Sequence, residues 1–318
     1  NGGLIMRIGI VVDSCCDLPK DFIETNGIIV MPITLRIGDL LVEDRRDPQE
    51  TLDFYSRHLD QKSEDFAESI PYSAQQIEKL FLERLVLDFD YVFCETITSG
   101  RSAIYDNATA ASRTILAKYR EPRRAAGIGE RFGLAVVSSR NMFAGQGLLA
   151  AETVNLIKQG GSPSDIGTRL REIRLHCHTY MVPADLYHIY KRASKKGDKS
   201  IGWGSYTLGS WLDVKPILYC YNDQTGPVDK VRGFGTGVER LFGKVAERVR
   251  KGLYSPFVCI SYGGPLDEVP ALPGYAGLAQ AAESAGVKIL VSMMSKTAAV
   301  NVGPGAVCIS FAADAPLY

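Results

Sequence analysis

Four short stretches of the chain hold residue types that could do chemistry. The first, Asp13-Ser14-Cys15-Cys16-Asp17-Leu18-Pro19, follows an apolar run at 8–12. A carboxylate and a hydroxyl placed there could contact a ligand, because ligands in open α/β sheets bind outside the carboxyl ends of strands. Asp13 and Ser14 would serve equally well by satisfying backbone groups in the turn. The second, Glu95-Thr96-Ile97-Thr98-Ser99-Gly100-Arg101-Ser102, gathers hydroxyls and a glycine ahead of a helical stretch from Ala103 to Leu116. N–H groups at a helix start, with hydroxyls beside them, suit a phosphate or a carboxylate; simple capping by a serine accounts for the same residues. In the third, Gly233-Phe234-Gly235-Thr236-Gly237, the spacing is GxGxG without the third glycine of GxGxxG. The strand that follows ends in Ser261-Tyr262 with no acidic residue, so this reads as a strand-to-helix connection and not a dinucleotide site. In the fourth, His176 and His178 flank Cys177 with strand alternation. No third ligand stands at metal-site spacing, so they read as structural histidines and no metal is expected. With 4 His in the chain and no GxSxG elbow, nucleophilic hydrolysis lacks its parts, and no catalytic residue is assigned.

The elements that would position these stretches follow from periodicity. Residues 7–12, Arg7 followed by an uninterrupted apolar run, read as a buried parallel strand. Leu18-Pro19 opens a helix, with Asp17 as candidate N-cap and Pro19 where its missing N–H costs little. Further strands are expected over 27–35, 91–97 and 133–138. Between them Ile77, Leu80, Phe81 and Leu85 repeat at helical spacing behind a Ser73 cap, and Ala144 to Ile157 makes another helix. Strands alternating with such helices predict a Rossmann-like, three-layer first domain with a parallel sheet, over 1–172. Gly160-Gly161-Ser162-Pro163 punctuates the chain before a short helix to about Arg174. Strands over 177–182, 216–221, 228–232, 256–261, 287–292 and 306–311, with one clear helix at 238–249, predict a second, two-layer α/β domain with a mixed sheet over 173–318.

Composition narrows the function classes. Lys plus Arg (36) equals Asp plus Glu (36), and no stretch concentrates basic residues with aromatics, so nucleic acid is not expected as a partner. Nowhere do 18 apolar residues run together, and the early run at 8–12 is too short for a signal sequence or a membrane span. Residues 1–5 read as a remnant ahead of a native Met6. Seven cysteines without CxxC spacing suggest free thiols in a reducing compartment, hence a cytoplasmic protein.

Several segments, taken in order, resemble the DegV family. Its VDSTADLP is similar to Val12 through Pro19, its TSQPS to Ser69-Ile70-Pro71-Tyr72-Ser73, and its SSKLSGT to Thr96 through Arg101 with Ser99-Gly100 kept. A family stretch ending in GQG resembles Ser138-Ser139-Arg140 through Gly145-Gln146-Gly147, minus its aspartate. KKGGRI looks like Lys195 to Ser200, LxxKPIL like Leu212 to Leu218, and HxGPGALG like Asn301 to Val307, with asparagine where the family usually has histidine. Residues 121–131 look like an insertion. The resemblance implies two α/β domains with a long-chain fatty acid in the cleft between them and no other cofactor. It implies a carboxylate held at Ser69, Ser99 and Asn301, with Arg232 near the head group and Gly100, Asp13, Ser14 and Thr96 as further ligand-binding candidates. It also implies a fatty acid kinase as the partner that phosphorylates the bound carboxylate. The alternative is an enzyme acting on a phosphorylated or carboxylate metabolite in the same cleft, for which Asp13 and Glu95 are the available bases.

Overall fold

The computed structural model describes residues 6–58, 67–189 and 214–318. Its first half runs β1 (Ile8–Asp13), α1 (Lys20–Thr25), β2 (Ile29–Met31), β3 (Ile33–Ile37), β4 (Leu40–Asp44), α2 (Pro48–Ser56), β5 (Glu68–Ile70), α3 (Ala74–Leu80), α4 (Val86–Asp88), β6 (Tyr91–Thr96), α5 (Ile104–Lys118), α6 (Arg120–Ala125), β7 (Gly133–Ser138), α7 (Ala144–Lys158) and α8 (Pro163–Ile173). Strands β2-β1-β6-β7 make a four-stranded sheet, parallel throughout, which is the βαβ architecture expected from the alternation. The single strand expected over 27–35 is instead two strands in two sheets. Pro32 has no N–H to give a ladder, and the chain changes sheet there. Ser14 fixes the crossing: its hydroxyl accepts from Ile33 N at 2.7 Å and donates to Asp44 O at 2.5 Å. The result is a small antiparallel sheet, β4-β3-β5, which the apolar pattern did not reveal.

Helix starts were partly legible. Ser73 caps α3 as expected, with Gln76 returning a bond to the Ser73 N–H in a full capping box. Helix α1, however, starts at Lys20 with Pro19 as its N-cap and no side-chain cap. Asp17, the residue expected to cap it, is buried and ion-paired with Arg46 at 2.8 Å. A buried carboxylate needs a charged or hydrogen-bonded partner more than a helix start needs a cap.

The second half adds β8 (Cys177–Val182), β9 (Val214–Tyr221), β10 (Gln224–Arg232), α9 (Phe234–Lys251), β11 (Phe257–Tyr262), α10 (Tyr275–Ala285), β12 (Lys288–Met293), α11 (Lys296–Val302) and β13 (Val307–Ala312). These strands form one mixed sheet in the order β10-β9-β8-β13-β11-β12. Its faces differ in kind. Tyr180, Val182, Ile309, Phe311 and Ile260 pack under Val238, Leu241, Phe242 and Val245 of α9. The opposite face carries Cys177, Thr179, Cys308, Ser310, Cys259 and Ser261, all small and all buried.

Helix α7 lies between that small-residue face and the parallel sheet, which explains why Ala144 through Val154 are buried all round. Two glycines permit the approach. A Cβ on Gly145 would lie 2.3 Å from Thr179 Oγ1, and one on Gly147 would lie 2.1 Å from the Asp17 carbonyl oxygen. The layers therefore run from α3 and α5 through the parallel sheet, α7 and the mixed sheet to α9 and α10.

Candidate functional site

Beyond the N-terminal end of α7 lies a cavity of about 470 Å3, inside the ~300–1,000 Å3 range of small-molecule sites. Its walls come from both sheets. Cys15 and Ile97 follow the carboxyl ends of β1 and β6, and Met142 and Phe143 lead into α7. Met181, Leu218, Cys220 and Cys308 face them from the mixed sheet. The site thus sits where open α/β sheets place their ligands. Most of the wall is apolar; the buried Thr179 and Thr297 on it donate their hydroxyls to Ser310 and Asp44, and the remaining polar lining groups are Glu68 and Ser69 of β5, Arg101 and Ser102 before α5, Thr225 of β10 and Asn301. Glu68, Ser69 and Arg101 are exposed, so they mark the mouth.

Of the residues singled out from sequence, Ser69 and Asn301 line the cavity. Asn301 Nδ2 donates to Thr297 O at 2.6 Å, which fixes its amide on α11. Ser99 and Gly100 are exposed and stand just before the lining residues Arg101, Ser102 and Ala103. Asp13 is buried and off the wall, its carboxylate accepting from Cys15 N at 2.9 Å and Ile97 N at 2.8 Å. Burial raises its pKa, and those two N–H bonds oppose the rise. Ser14 ties the two sheets of the first half together, and Thr96 donates to Ile97 O at 3.0 Å. Arg232 is exposed at the end of β10, opposite Val214. It lies six residues from the lining Gly226, roughly 20 Å along a strand. The stretch Lys195 to Ser200, and Leu212, lie outside the described residues.

The other groups that could do chemistry are engaged elsewhere. Glu95 is buried against α7, where Thr153 donates to it, and burial pushes its pKa up to about 8. His178 stacks on Tyr221 with a ring nitrogen 3.2 Å from Ala313 O, and burial pushes its pKa down to about 4. Gly233 begins α9, and Gly237 allows that helix onto Val231 and Val182, so the glycine run is a packing device. All seven cysteines are free and buried. Burial raises the thiols of Cys15, Cys220 and Cys308 on the cavity wall, so they are neutral apolar surface there. Among the described residues no acidic, His or Cys cluster could hold a metal, and no helix is long and apolar enough to cross a membrane.

Sequence reasoning missed a clamp that ties the turn after β9 to the loops after β6 and β7. Asn222 and Asp223 both have positive φ, 50° and 69°, making the tight turn between β9 and β10. Asp223 accepts from Thr98 Oγ1 at 2.5 Å and from Arg140 Nε at 2.6 Å, while its own N–H donates to Arg140 O at 2.9 Å. Burial would raise the Asp223 carboxyl, but the bonds from Thr98 and Arg140 outweigh it and hold the pKa below the ordinary value. Two residues on, Thr225 accepts a bond from the Arg101 guanidinium. The Asn-Asp pair between two apolar runs was the available signal, since both residues tolerate the left-handed conformation such turns require.

Comparison with known proteins places these features in context. The family model described as "Uncharacterised protein, DegV family" matches residues 7–314. A DegV domain-containing protein of Xanthomonas campestris is 48% identical over 97% of this chain and 98% of its own length. Protein DegV of Bacillus subtilis is 26% identical over 78% of this chain and 80% of its own length. Among solved structures, DegV of Bacillus subtilis, described as a fatty acid binding protein, superposes with a TM-score of 0.73 at 22% identity, covering 96% of this chain and 99% of that one. A stearic acid-binding protein of Eubacterium ventriosum gives 0.74 at 20% identity, covering 96% and 98%.

Proposed function

The chain belongs to the DegV family, and from that premise we propose that it carries one long-chain fatty acid, carboxylate at the mouth and tail in the interior, and presents it to a kinase partner. The observation that carries the reading is the gradient of the cavity itself, apolar inside and polar at one exposed rim. Burying ~15 methylenes at ~0.8 kcal/mol each gives a gross ~12 kcal/mol, against ~1–3 kcal/mol for each bond to a charged head. Association and ordering costs reduce that total, but the ratio stands. The tail supplies affinity and the rim decides which end faces out. Ser69 and Asn301 are the hydroxyl and amide we assign to the head group. A head held at an exposed rim stays within reach of a second protein, as transfer of a phosphoryl group to it requires. The buried positions of Asp13 and Glu95 favour a carrier over an enzyme with its own base.

Mass spectrometry of an organic extract of the purified protein should find a fatty acid of about C14–C18, as a cavity of about 470 Å3 would hold. Delipidated protein should melt at a higher temperature once palmitic acid is added, with a gain of ~2.7 kcal/mol at a hundredfold excess over Kd. No stabilisation by any long-chain acid would defeat the carrier reading. For the partner, loaded protein mixed with a fatty acid kinase and ATP should yield acyl phosphate, and absence of turnover would remove that half alone.

A further inference from the structure

The last residue before α7 is unsuited to its place by two rules at once. Phe143 is the N-cap of that helix, where serine, threonine, asparagine, aspartate or glycine is favoured, and its side chain caps nothing. Its backbone sits at φ 53° and ψ −119°, a conformation that glycine adopts freely and a residue with a Cβ does not. Six non-glycine residues have positive φ among the described residues, and Phe143 is the apolar one. The strain is held from both sides. Phe143 O accepts from Asp17 N at 3.2 Å and from Gly147 N at 3.0 Å. Just before it, Asn141 Oδ1 accepts from Met142 N at 2.9 Å, and Asn141 Nδ2 donates to Cys177 O at 3.0 Å. Asn141 O accepts in turn from Thr98 N at 2.9 Å. Strained residues fixed in this way cluster at ligand sites, and Phe143 is buried on the wall of the cavity. Cys15, Thr179 and Cys308 share that wall and are buried like it, whereas Glu68 and Ser69 at the mouth are exposed. Thr179 also meets the first turn of α7 at Gly145. The inner end of the cavity therefore lies against the start of the helix, where Phe143 stands.

We infer that Phe143 closes the inner end of the cavity and so sets the longest acyl chain that it takes. The inference rests on the lipid-carrier reading and deepens it. Glycine would relieve the backbone but leave the cavity deeper. The neighbouring wall residues Cys15, Thr179 and Cys308 are too small to close it. The need for a large apolar side chain at this point accounts for a phenylalanine where both the backbone and the cap favour something else.

The test uses full-length delipidated protein and saturated acids from C12 to C22, competed against a fluorescent fatty acid. In the unaltered protein affinity should climb to about C16, the length that about 470 Å3 holds, and then level. Phe143→Ala should raise that ceiling. The ratio of C20 to C12 affinity should rise at least tenfold, since each newly buried methylene adds about fourfold. The ratio is the readout because a general loss of stability leaves it unchanged. Phe143→Gly should raise the same ratio and, against the usual order of these two residues, melt at a higher temperature than Phe143→Ala. Phe143→Leu, a milder truncation, should raise the ratio by less, and it covers the case in which alanine unfolds the chain. An unchanged ratio in a folded variant would overturn the inference and leave the carrier reading intact, as would an unaltered protein with no ceiling. A higher melting temperature for Phe143→Ala than for Phe143→Gly would overturn it too, since the backbone would then not favour glycine. If the unaltered protein binds no acid of the series, the carrier reading falls and the inference with it.

Discussion

The cavity volume sets a length for the ligand, and one substitution should shorten it by a known amount. If a methylene takes about as much space as one water in the liquid, ~30 Å3, then about 470 Å3 holds on the order of sixteen such groups. Affinity in a series of saturated acids should therefore rise about fourfold per added methylene, from ~0.8 kcal/mol each, and level off near C16. Cys308 is fully buried on the wall, on the small-residue face of the mixed sheet. Replacing it with leucine adds two heavy atoms to the interior. Acids of C16 and C18 should then lose the burial of about two methylenes, ~1.6 kcal/mol or roughly fifteenfold in affinity. C10 and C12 should bind as before, so the plateau moves down by about two carbons. Competition against a fluorescent fatty acid across C10 to C20 reads this directly. A melting curve guards against the ~1–3 kcal/mol that overpacking alone can cost. A loss of equal size at every length would refute the reasoning, because it would mean that position 308 does not limit the tail. So would a series with no plateau.

The remaining predictions concern the frame and the rim. Gly147→Ala puts a Cβ 2.1 Å from the Asp17 carbonyl oxygen, a backbone atom that cannot swing away, so urea denaturation should give a loss of at least ~1–3 kcal/mol; a loss under 0.5 would show that α7 has room to shift. Glu95 has an ordinary pKa of 4.5 and a folded value of about 8. Between those values the unfolded chain releases this proton and the folded one keeps it, so this group makes stability fall as pH rises from about 4.5 to 8. Glu95→Gln should therefore gain stability relative to the unaltered protein at pH 8 but not at pH 4; equal differences at both pH values would mean the carboxyl is ionised in place. Asn301 carries an amide that does not titrate, so acyl affinity should be flat from pH 6 to 8, while Asn301→His should tighten binding on the acid side. Identical flat profiles for both forms would show that position 301 does not meet the head group.

Much of this was readable from sequence wherever one physical cause acts locally. Residues 133–138 and 177–182 were read as strands over the spans they occupy, the first from its apolar run and the second from its alternation. The Ser73 cap was legible because a capping box lies within four consecutive residues. What escaped depends on partners far along the chain. Asp17 was read as a cap and is instead the counter-ion of Arg46, 29 residues away, while Ser14 was weighed as a ligand contact and holds a sheet crossing. The site was legible in part for the same reason. The loops before α3 and α5 do border the cavity, with Ser69 on its wall, yet in the second loop Ile97 and then Arg101 to Ala103 line it, and Ser99 and Gly100 between them do not. Which residue of a turn faces inward is set by the rotation of the helix that follows, and α5 turns by its packing on α3 and β7.

The position of the cavity follows from the same chemistry that packs α7. The mixed sheet alternates a large apolar face with a face of Cys, Thr and Ser, and the small face is where α7 approaches. Gly145 meets Thr179 at the first turn of the helix, and Thr179 is also a lining residue of the cavity. Two residues further along β8, Met181 faces open space, because the helix has ended and Phe143 turns the chain away with φ of 53°. The mixed sheet continues past that point and the loops that follow β1 and β6 face it, so the layer α7 fills becomes a slot with apolar walls. Side chains that were small enough to admit a helix are too small to close the slot by themselves, and the interior stays open for a chain of methylenes. The clamp of Asp223 on Arg140 and Thr98 and the bond from Arg101 to Thr225 then bridge the slot at its polar end. A helix layer that stops short leaves an apolar slot, and the charged bridge at its end gives that slot a direction.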